Sequence, residues 1–467
     1  MQKRRLKSFF ISSAFVMTTL AAPLTPARAE SLADALISAY QTSPLLSSSR
    51  AALRGVDENV PQARAQRRPQ TSANIGASAD VDYGEYDDRT DALEATLDAS
   101  LLLYDHGQTK AAIESARNSV AEGRADLQNI EQTVLYAAVQ AYVDVRRDEE
   151  FVRISRNDVE RLEETLRATR NRFEVGEVTR TDVSQSEAAL AESRANLASA
   201  LGALEVSREA YRAAIGHPPD NLETLPPLPA VPASVEEAIQ IGIQRNPQIV
   251  SAQYSERVAV YNFDRAVAAK GPTISLGGST GLSRTNNTTS GAWAGEPFAE
   301  VTLQGSMPLY TGGSNDSLIR QAQALIDQRR FEVQDAARTV TQDVSSAWAQ
   351  LEVSKVAIVA RREQAEASRL AAEGVSEEAR LGARSTLDVL DADQDRLQAE
   401  AEIVSAVRDE YVAAYALLQA MGLLTVEHLE LGIETYNPDD YFARVQNAPV
   451  GGYDTSAVDR IRARWER

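Results

Sequence analysis

The sequence predicts an α+β membrane protein: four strands per protomer, joined with those of two further copies as a trimeric twelve-stranded transmembrane β-barrel, continuous with a long α-helical coiled-coil barrel in the periplasm. Three observations predict it. The chain is internally duplicated, each copy carries a pair of segments that alternate apolar and polar residues, and each strand pair is followed by a proline-free helical run of roughly 65 residues.

In chain order the compartment comes first. Lys3, Arg4, Arg5 and Lys7 precede an apolar run from Phe9 to Ala22, and Ala27-Arg28-Ala29 supplies a small-x-small cleavage site before Glu30. Residues 1–29 therefore read as a signal peptide, and no later segment reaches the length of a transmembrane helix. Its removal takes away five basic residues and no acids, so 48 basic and 67 acidic residues become 43 and 67, a net charge of −24. That balance argues against nucleic acid as a partner; it suits a solvated surface and, in part, the lining of a cation-favouring passage. Cysteine is absent, which excludes disulfides, thiolate metal sites and a lipid-modified N-terminal cysteine. His106, His217 and His428 lie far apart, and neither a phosphate loop nor a nucleophile elbow is present, so the sequence points to no cofactor, no metal and no enzyme.

The duplication shows in SLADALISAYQTSPLL from Ser31, which returns as SVEEAIQIGIQRNPQIV from Ser234 at an offset of 203. Pro44 and Pro69 match Pro247 and Pro272. Further on the offset is 206: Leu103-Tyr104 matches Leu309-Tyr310, Gly176 matches Gly382 and Gly216 matches Gly422. The three-residue insertion falls in SRTNNTTSGAWAGEP, a polar, Gly-rich turn. This divides the mature chain into a first repeat (30–216), a Pro-rich extended linker (217–233), a second repeat (234–422) and a loop-like tail (423–467).

Each repeat opens with a helix, Leu32 to about Arg64 in the first, with Ser31 and Ser234 as matching N-caps. Strand pairs follow at about 70–104 and 272–310. Ala73, Ile75, Ala77, Ala79, Val81 and Tyr83 alternate with polar neighbours, as do Leu93 to Leu103; in the second copy Ala299, Val301, Leu303, Met307 and Leu309 do the same. Four strands of about ten residues suit a tilted bilayer crossing, and Tyr83, Tyr104, Phe298 and Tyr310 suit its aromatic belts. Four strands cannot close a barrel, and an open edge in lipid leaves backbone groups unpaired, so the barrel must be shared. An ordinary soluble antiparallel sheet is the competing reading of these segments taken alone.

The long helices, from about Gly107 to Arg172 and Gly313 to Arg380, would each span on the order of 100 Å. Seven-residue series such as Val145, Val152, Val159, Leu166 and Leu390, Leu397, Val404, Tyr411 mark coiled-coil seams between wet faces, as a hollow tube requires. Gly176 and Gly382 reverse the chain at the two hairpin tips, farthest from the barrel (hairpins at about 107–215 and 313–421).

The combination of signal peptide, paired repeats, the strand-end motifs LLLYDHG and MPLYTGG and the tip motifs RFEVGEVTRTDV and ARLGARSTLDVLDA resembles the TolC-like outer-membrane efflux proteins, over about Glu30 to Gly422. The resemblance implies a homotrimeric channel in outer-membrane lipid that docks through its tips, Gly176 and Gly382, on a periplasmic adaptor and an inner-membrane transporter of RND, ABC or MFS type. It implies export of drugs and small molecules or, alternatively, type I protein secretion. It places Asp388 and Asp391 at a pore gate, where clustered carboxylates raise one another's pKa, although Asp388 also suits an ordinary first helical turn. It places Asp182 and Arg384 in a latch, with Ala379 at a position that in some family members is a reinforcing tyrosine. A periplasmic coiled-coil scaffold or adhesin is the reading from a different class.

Overall fold

The structure, a computed structural model, describes residues 29–83, 87–287, 293–447 and 455–465; the expected signal peptide lies outside the described residues except for Ala29. The first repeat comprises α1 (Leu32–Thr42), α2 (Pro44–Asp57), α3 (Asn59–Ala65), β1 (Gln70–Tyr83), β2 (Asp87–Tyr104), α4 (Gln108–Glu174) and α5 (Arg180–Ile215). The second comprises α6 (Val235–Arg245), α7 (Pro247–Ala268), β3 (Thr273–Asn287), β4 (Ala294–Ser306), α8 (Ser314–Arg380) and α9 (Thr386–Ala420). The tail, expected to be loop-like, carries α10 (Pro438–Val445) and α11 (Ser456–Trp465).

The single opening helix expected in each repeat is broken at an elbow. Pro44 starts α2 without an N–H to donate, and the Ser43 hydroxyl accepts from the Leu46 amide at 3.3 Å. Pro247 starts α7 in the same way, with Asn246 Oδ1 accepting from the Gln248 amide at 2.9 Å. Each elbow is clasped by the end of that repeat's last long helix: a Cβ on Gly216 would lie 2.5 Å from Thr42 Oγ1, and one on Gly422 2.7 Å from the Arg245 carbonyl oxygen. Both glycines have positive φ, 101° and 76°, so conformation and space both demand glycine.

The four strands form one antiparallel sheet in the order β1-β2-β3-β4. Its registers sort the side chains. Ala73, Leu97, Thr280 and Ala299 share a row, as do Ile75, Ala95, Leu282 and Pro297; the intervening rows run Ser72, Asp98, Ser279, Glu300 and Gly76, Glu94, Ser283, Glu296. One face is therefore mainly apolar and the other polar, the alternation of a barrel wall between lipid and water. The strands are 14, 18, 15 and 13 residues long, not about ten, because their polar ends continue the ladder past the apolar belt. The turn expected at SRTNNTTSGAWAGEP is shorter than expected, since Ser283–Asn287 belong to β3 and Ala294–Pro297 to β4.

Helices α4 and α8 have 67 residues each, about 100 Å at about 1.5 Å per residue. Helix α5 has only 36, so it covers the tip-side part of α4; toward the sheet, α2, α3 and α7 pack on α4 instead. The main core lies where these layers meet: Leu36, Ala39, Leu135, Tyr142, Tyr211, Ile215, Leu417, Leu418 and Met421 are buried together. Tyr142 Oη lies 3.0 and 2.9 Å from the carbonyl oxygens of Glu30 and Glu223, pinning the segment before α1 and the linker to α4. The tail girdles the same level: Leu424 and Val426 enter the core, the Tyr436 amide donates to Tyr40 Oη, and the Tyr441 hydroxyl donates to Glu58 at 2.7 Å. Among the described residues no helix is long and apolar enough to cross a membrane.

Candidate functional site

The two hairpin tips are copies of one motif. At the first, Gly176 at φ 81° lets its amide reach the Phe173 carbonyl at 3.0 Å and the Glu177 amide reach that of Arg172 at 2.9 Å. At the second, Gly382 at φ 78° does the same toward Ala379 and Glu378 at 3.1 and 2.9 Å. These bonds satisfy the last helical carbonyls. Nothing lies within 4 Å of where either glycine would carry a Cβ. Val175 and Leu381, at matching positions, are 71 % and 86 % exposed, so each tip presents an apolar knob. The visible signal was an apolar residue directly before the tip glycine in both repeats.

Past each glycine a capping box starts the returning helix. Thr179 N–H and Oγ1 donate to Asp182 Oδ2 at 2.8 and 2.7 Å; Ser385 N–H and Oγ donate to Asp388 Oδ2 at 2.9 Å each. Asp388 is therefore a first-turn acid, and the Ser385 amide, then the Ser385 hydroxyl and the nearby Arg384, hold its pKa below the usual carboxylate value. The expected upward shift belongs to carboxylates clustered from three copies; within one chain the cap alone acts, and it lowers the pKa. Asp391, on α9 less than one turn on, is exposed. The Asp182 pKa is also lowered, chiefly by the Thr179 hydroxyl and amide, with a smaller contribution from the Thr386 hydroxyl of the second hairpin. The Thr386 hydroxyl thus lies near the Asp182 carboxylate across the two hairpins, while Arg384 pairs within the chain with Glu378 at 2.9 Å, where the expected latch has Asp182. Ala379 is buried against the turn it helps close.

A second link between hairpins has no local sequence signal. Arg161 of α4 pairs with Asp158 at 3.0 Å and with Asp393 of α9. Ser193 of α5 donates to Asp158 at 2.5 Å, and Arg396 pairs with Glu400 and lies 3.8 Å from Asp393. Burial holds the Arg161 pKa below the usual arginine value. Higher up, Arg408 of α9 pairs with Asp144 of α4 at 2.8 Å. Partners more than 200 residues apart leave no periodicity to read.

At the membrane end the aromatic positions divide. Tyr83 ends β1, and its side chain lies outside the described residues. Tyr104 is aligned with Ile274 by a bulge after Leu102, which turns it to the apolar face, and its hydroxyl lies 3.2 Å from His106 Nδ1. Phe298 shares a row with Gly281, Thr96 and Asn74; it is on the polar face, not on a lipid-facing belt. Strand β4 stops at Ser306, so Met307, Leu309 and Tyr310 lie beyond it, Tyr310 being 90 % exposed.

The Outer membrane efflux protein family matches this chain over residues 36–217 and 238–423. The chain belongs to that family. The outer membrane efflux protein BepC of Brucella suis is 34 % identical over 430 residues, covering 91 % of this chain and 92 % of BepC. Outer membrane protein TolC of Vibrio cholerae is 25 % identical over 429 residues, covering 90 % and 96 %. Among solved structures, the open state of the Neisseria gonorrhoeae MtrE outer membrane channel superposes with a TM-score of 0.72 at 23 % identity, over 84 % of this chain and 89 % of that one. This TolC-like efflux protein is thus an outer-membrane exit duct: its sheet is built for the outer membrane and its helices reach into the periplasm.

Proposed function

We propose that this efflux protein works as a homotrimer, the exit duct of a tripartite machine in which a periplasmic adaptor engages the tips at Gly176 and Gly382 and an inner-membrane transporter supplies the energy. The chain itself does no chemistry. The observation that carries this reading is the two-faced sheet leading directly into two 67-residue helices. The apolar face meets lipid, the polar face lines the lumen, and the lumen continues down the helical tube. Exposed Val175 and Leu381 give an adaptor two equivalent apolar contacts per protomer.

The gate lies at the second tip, where three copies bring Asp388 and Asp391 around one opening. It is held shut by the Arg161 to Asp393 link between hairpins, with Asp182 of the first tip beside Thr386 of the second. The cargo is small molecules and drugs, supported by the efflux function in the name of BepC. The test is a strain lacking the gene. Increased susceptibility to several unrelated toxic compounds with unchanged protein secretion is expected; loss of a secreted protein with unchanged susceptibility would transfer the duct to type I secretion. In planar bilayers the purified protein should conduct weakly alone and more strongly with its adaptor. A protein that fractionates as a soluble monomer would sink the channel reading.

A further inference from the structure

We propose that the barrel closes by pairing β4 of one copy with β1 of the next in a single register, in which Val301 lies opposite Ala79, Leu303 opposite Ala77 and Ala299 opposite Val81. This rests on the trimeric reading above. Strands β1 and β4 are the outer strands of the sheet, each paired within the chain on one side only, and lipid does not tolerate a row of unpaired backbone groups.

The register follows from the duplication. Partner numbers sum to 170 across β1 and β2 and to 579 across β3 and β4. The difference, 409, is the two repeat offsets, 203 and 206, taken together. Strand register was therefore duplicated along with sequence. The seam between repeats inside one chain, β2 with β3, sums to 377 from Thr90 to Leu102, before its bulge. Carrying β2 forward to β4 by 206 and β3 back to β1 by 203 gives 380 for the seam between copies.

Side chains support this value. An even sum joins odd residues of β1 to odd residues of β4, so the apolar face continues across the seam. Each apolar row then sets a large residue against a small one: Ile75 with Gly305, Leu303 with Ala77, Val301 with Ala79, Val81 with Ala299. A slip of two would crowd Ile75 against Leu303 and leave Ala79 facing Ala299. In the single chain Ile75, Val301 and Leu303 are 88 %, 80 % and 67 % exposed. On the polar face the same register sets Asp80 opposite Glu300, a repulsion that lumenal water and salt screen.

The junction beneath the sheet agrees. Inside the chain the His106 ring occupies the space over Gly271, where a Cβ would lie 2.1 Å from the ring. The repeat equivalents are Gly312 for His106 and Arg68 for Gly271, so the large and small partners exchange places at the seam between copies. His106 and Gly312 share the left-handed backbone, φ 52° and 63°, and the space beside Gly312 is open. The proposed register brings Arg68 of the next copy toward that space.

The chain has no cysteine, so engineered pairs read the seam directly. Directly opposed residues lie about 4.5–5.5 Å apart between Cα atoms, within disulfide range, whereas diagonal ones lie about 7–8 Å apart, beyond it. Ala79→Cys with Val301→Cys, and Ala77→Cys with Leu303→Cys on the adjacent row, are introduced into the full chain. The purified trimer is oxidised and then separated under denaturing, non-reducing conditions. Both pairs should give covalent dimers and trimers, at least about fivefold more than the diagonal pair Val81→Cys with Val301→Cys. Equal or stronger linkage in the diagonal pair, or none in any pair of an intact trimer, overturns the register. A wild-type protein that forms no trimer overturns the trimeric reading instead.

Discussion

Asp388 and Ser385 form a reciprocal cap whose strength depends on the carboxylate being ionised. The folded pKa of Asp388 lies below its ordinary value, as does that of Asp182. Their contribution is therefore complete above about pH 4, the unfolded aspartate value, and is lost as pH falls through the lower folded values. Amide exchange at the first turns of α5 and α9 should be unchanged between pH 7 and 5, after correction for the intrinsic rate, and should lose protection below about pH 4. Ser385→Ala should speed exchange at the start of α9 roughly fivefold at neutral pH, the effect of losing a cap worth about 1 kcal/mol. Equal protection in wild type and variant would show that the cap does not hold the tip. Arg161 sets a different limit. Its side chain is 29 % exposed and that of Asp393 17 %, so removing Arg161 falls between the ~1 kcal/mol of an exposed pair and the ~3 kcal/mol of breaking a buried one. Arg161→Ala should make the channel occupy its open state at least about fivefold more in planar bilayers; unchanged conductance would remove this link from the gate. The tip glycines and Asp388 were legible in sequence because capping and chain reversal are local. Arg161 with Asp393 was not, because only the packing of α4 on α9 creates that pair.

Elements were legible where one physical rule governs a whole segment. The limits of α4 and α8 follow from glycine on both sides and the absence of proline between. The elbows at Pro44 and Pro247 were read through as helix, because the apolar face of α1, with Leu36 and Tyr40, continues into α2 with Leu46 and Leu53. A proline at the first position of a new helix breaks the ladder without breaking that pattern. The strand ends failed in the opposite way: alternation stops at the edge of the apolar belt, but hydrogen bonding does not. Of these elements the elbow is the least tolerant. Gly422 combines a φ of 76° with a backbone carbonyl 2.7 Å from any added Cβ, and a carbonyl cannot rotate away as a side chain would. Gly422→Ala should therefore cost about 2–5 kcal/mol, from left-handed strain and overpacking together. Gly216→Ala meets the Thr42 side chain, which can move, so its cost should be smaller. The heat resistance of the detergent-solubilised trimer measures both, and the order Gly422 worse than Gly216 is the outcome that matters.

At the scale of the molecule, the duplication gives each chain two long hairpins and four strands, hence six and twelve in the proposed trimer, but it does not distribute charge evenly. On the polar face of the sheet the described strands carry Asp80, Glu94, Asp98, Glu296 and Glu300, and no lysine or arginine. Arg89 and Arg284 have the opposite parity and fall on the apolar face, toward the hairpin ends. The proposed trimer thus carries a second acidic zone about 100 Å from the gate. Cation preference then has two sources, separable by mutation. Asp388→Ala with Asp391→Ala should lower the preference for K⁺ over Cl⁻ measured by reversal potential, and leave a remainder. Adding Glu296→Gln and Glu300→Gln should remove much of that remainder without altering the gate. The barrel's share should also be the more sensitive to salt, because charges on the wall of a wide lumen act through water. The screening length falls from about 10 Å at 0.1 M to about 3 Å at 1 M, leaving the centre of such a lumen unscreened at the first and screened at the second. A narrow gate keeps its carboxylates within that shorter distance of every passing ion. The gate variant should therefore lose nearly all residual selectivity on raising salt to 1 M, whereas the wild type keeps part of its own. If the double aspartate variant alone abolished selectivity at 0.1 M, the acidic barrel face would have no part in it.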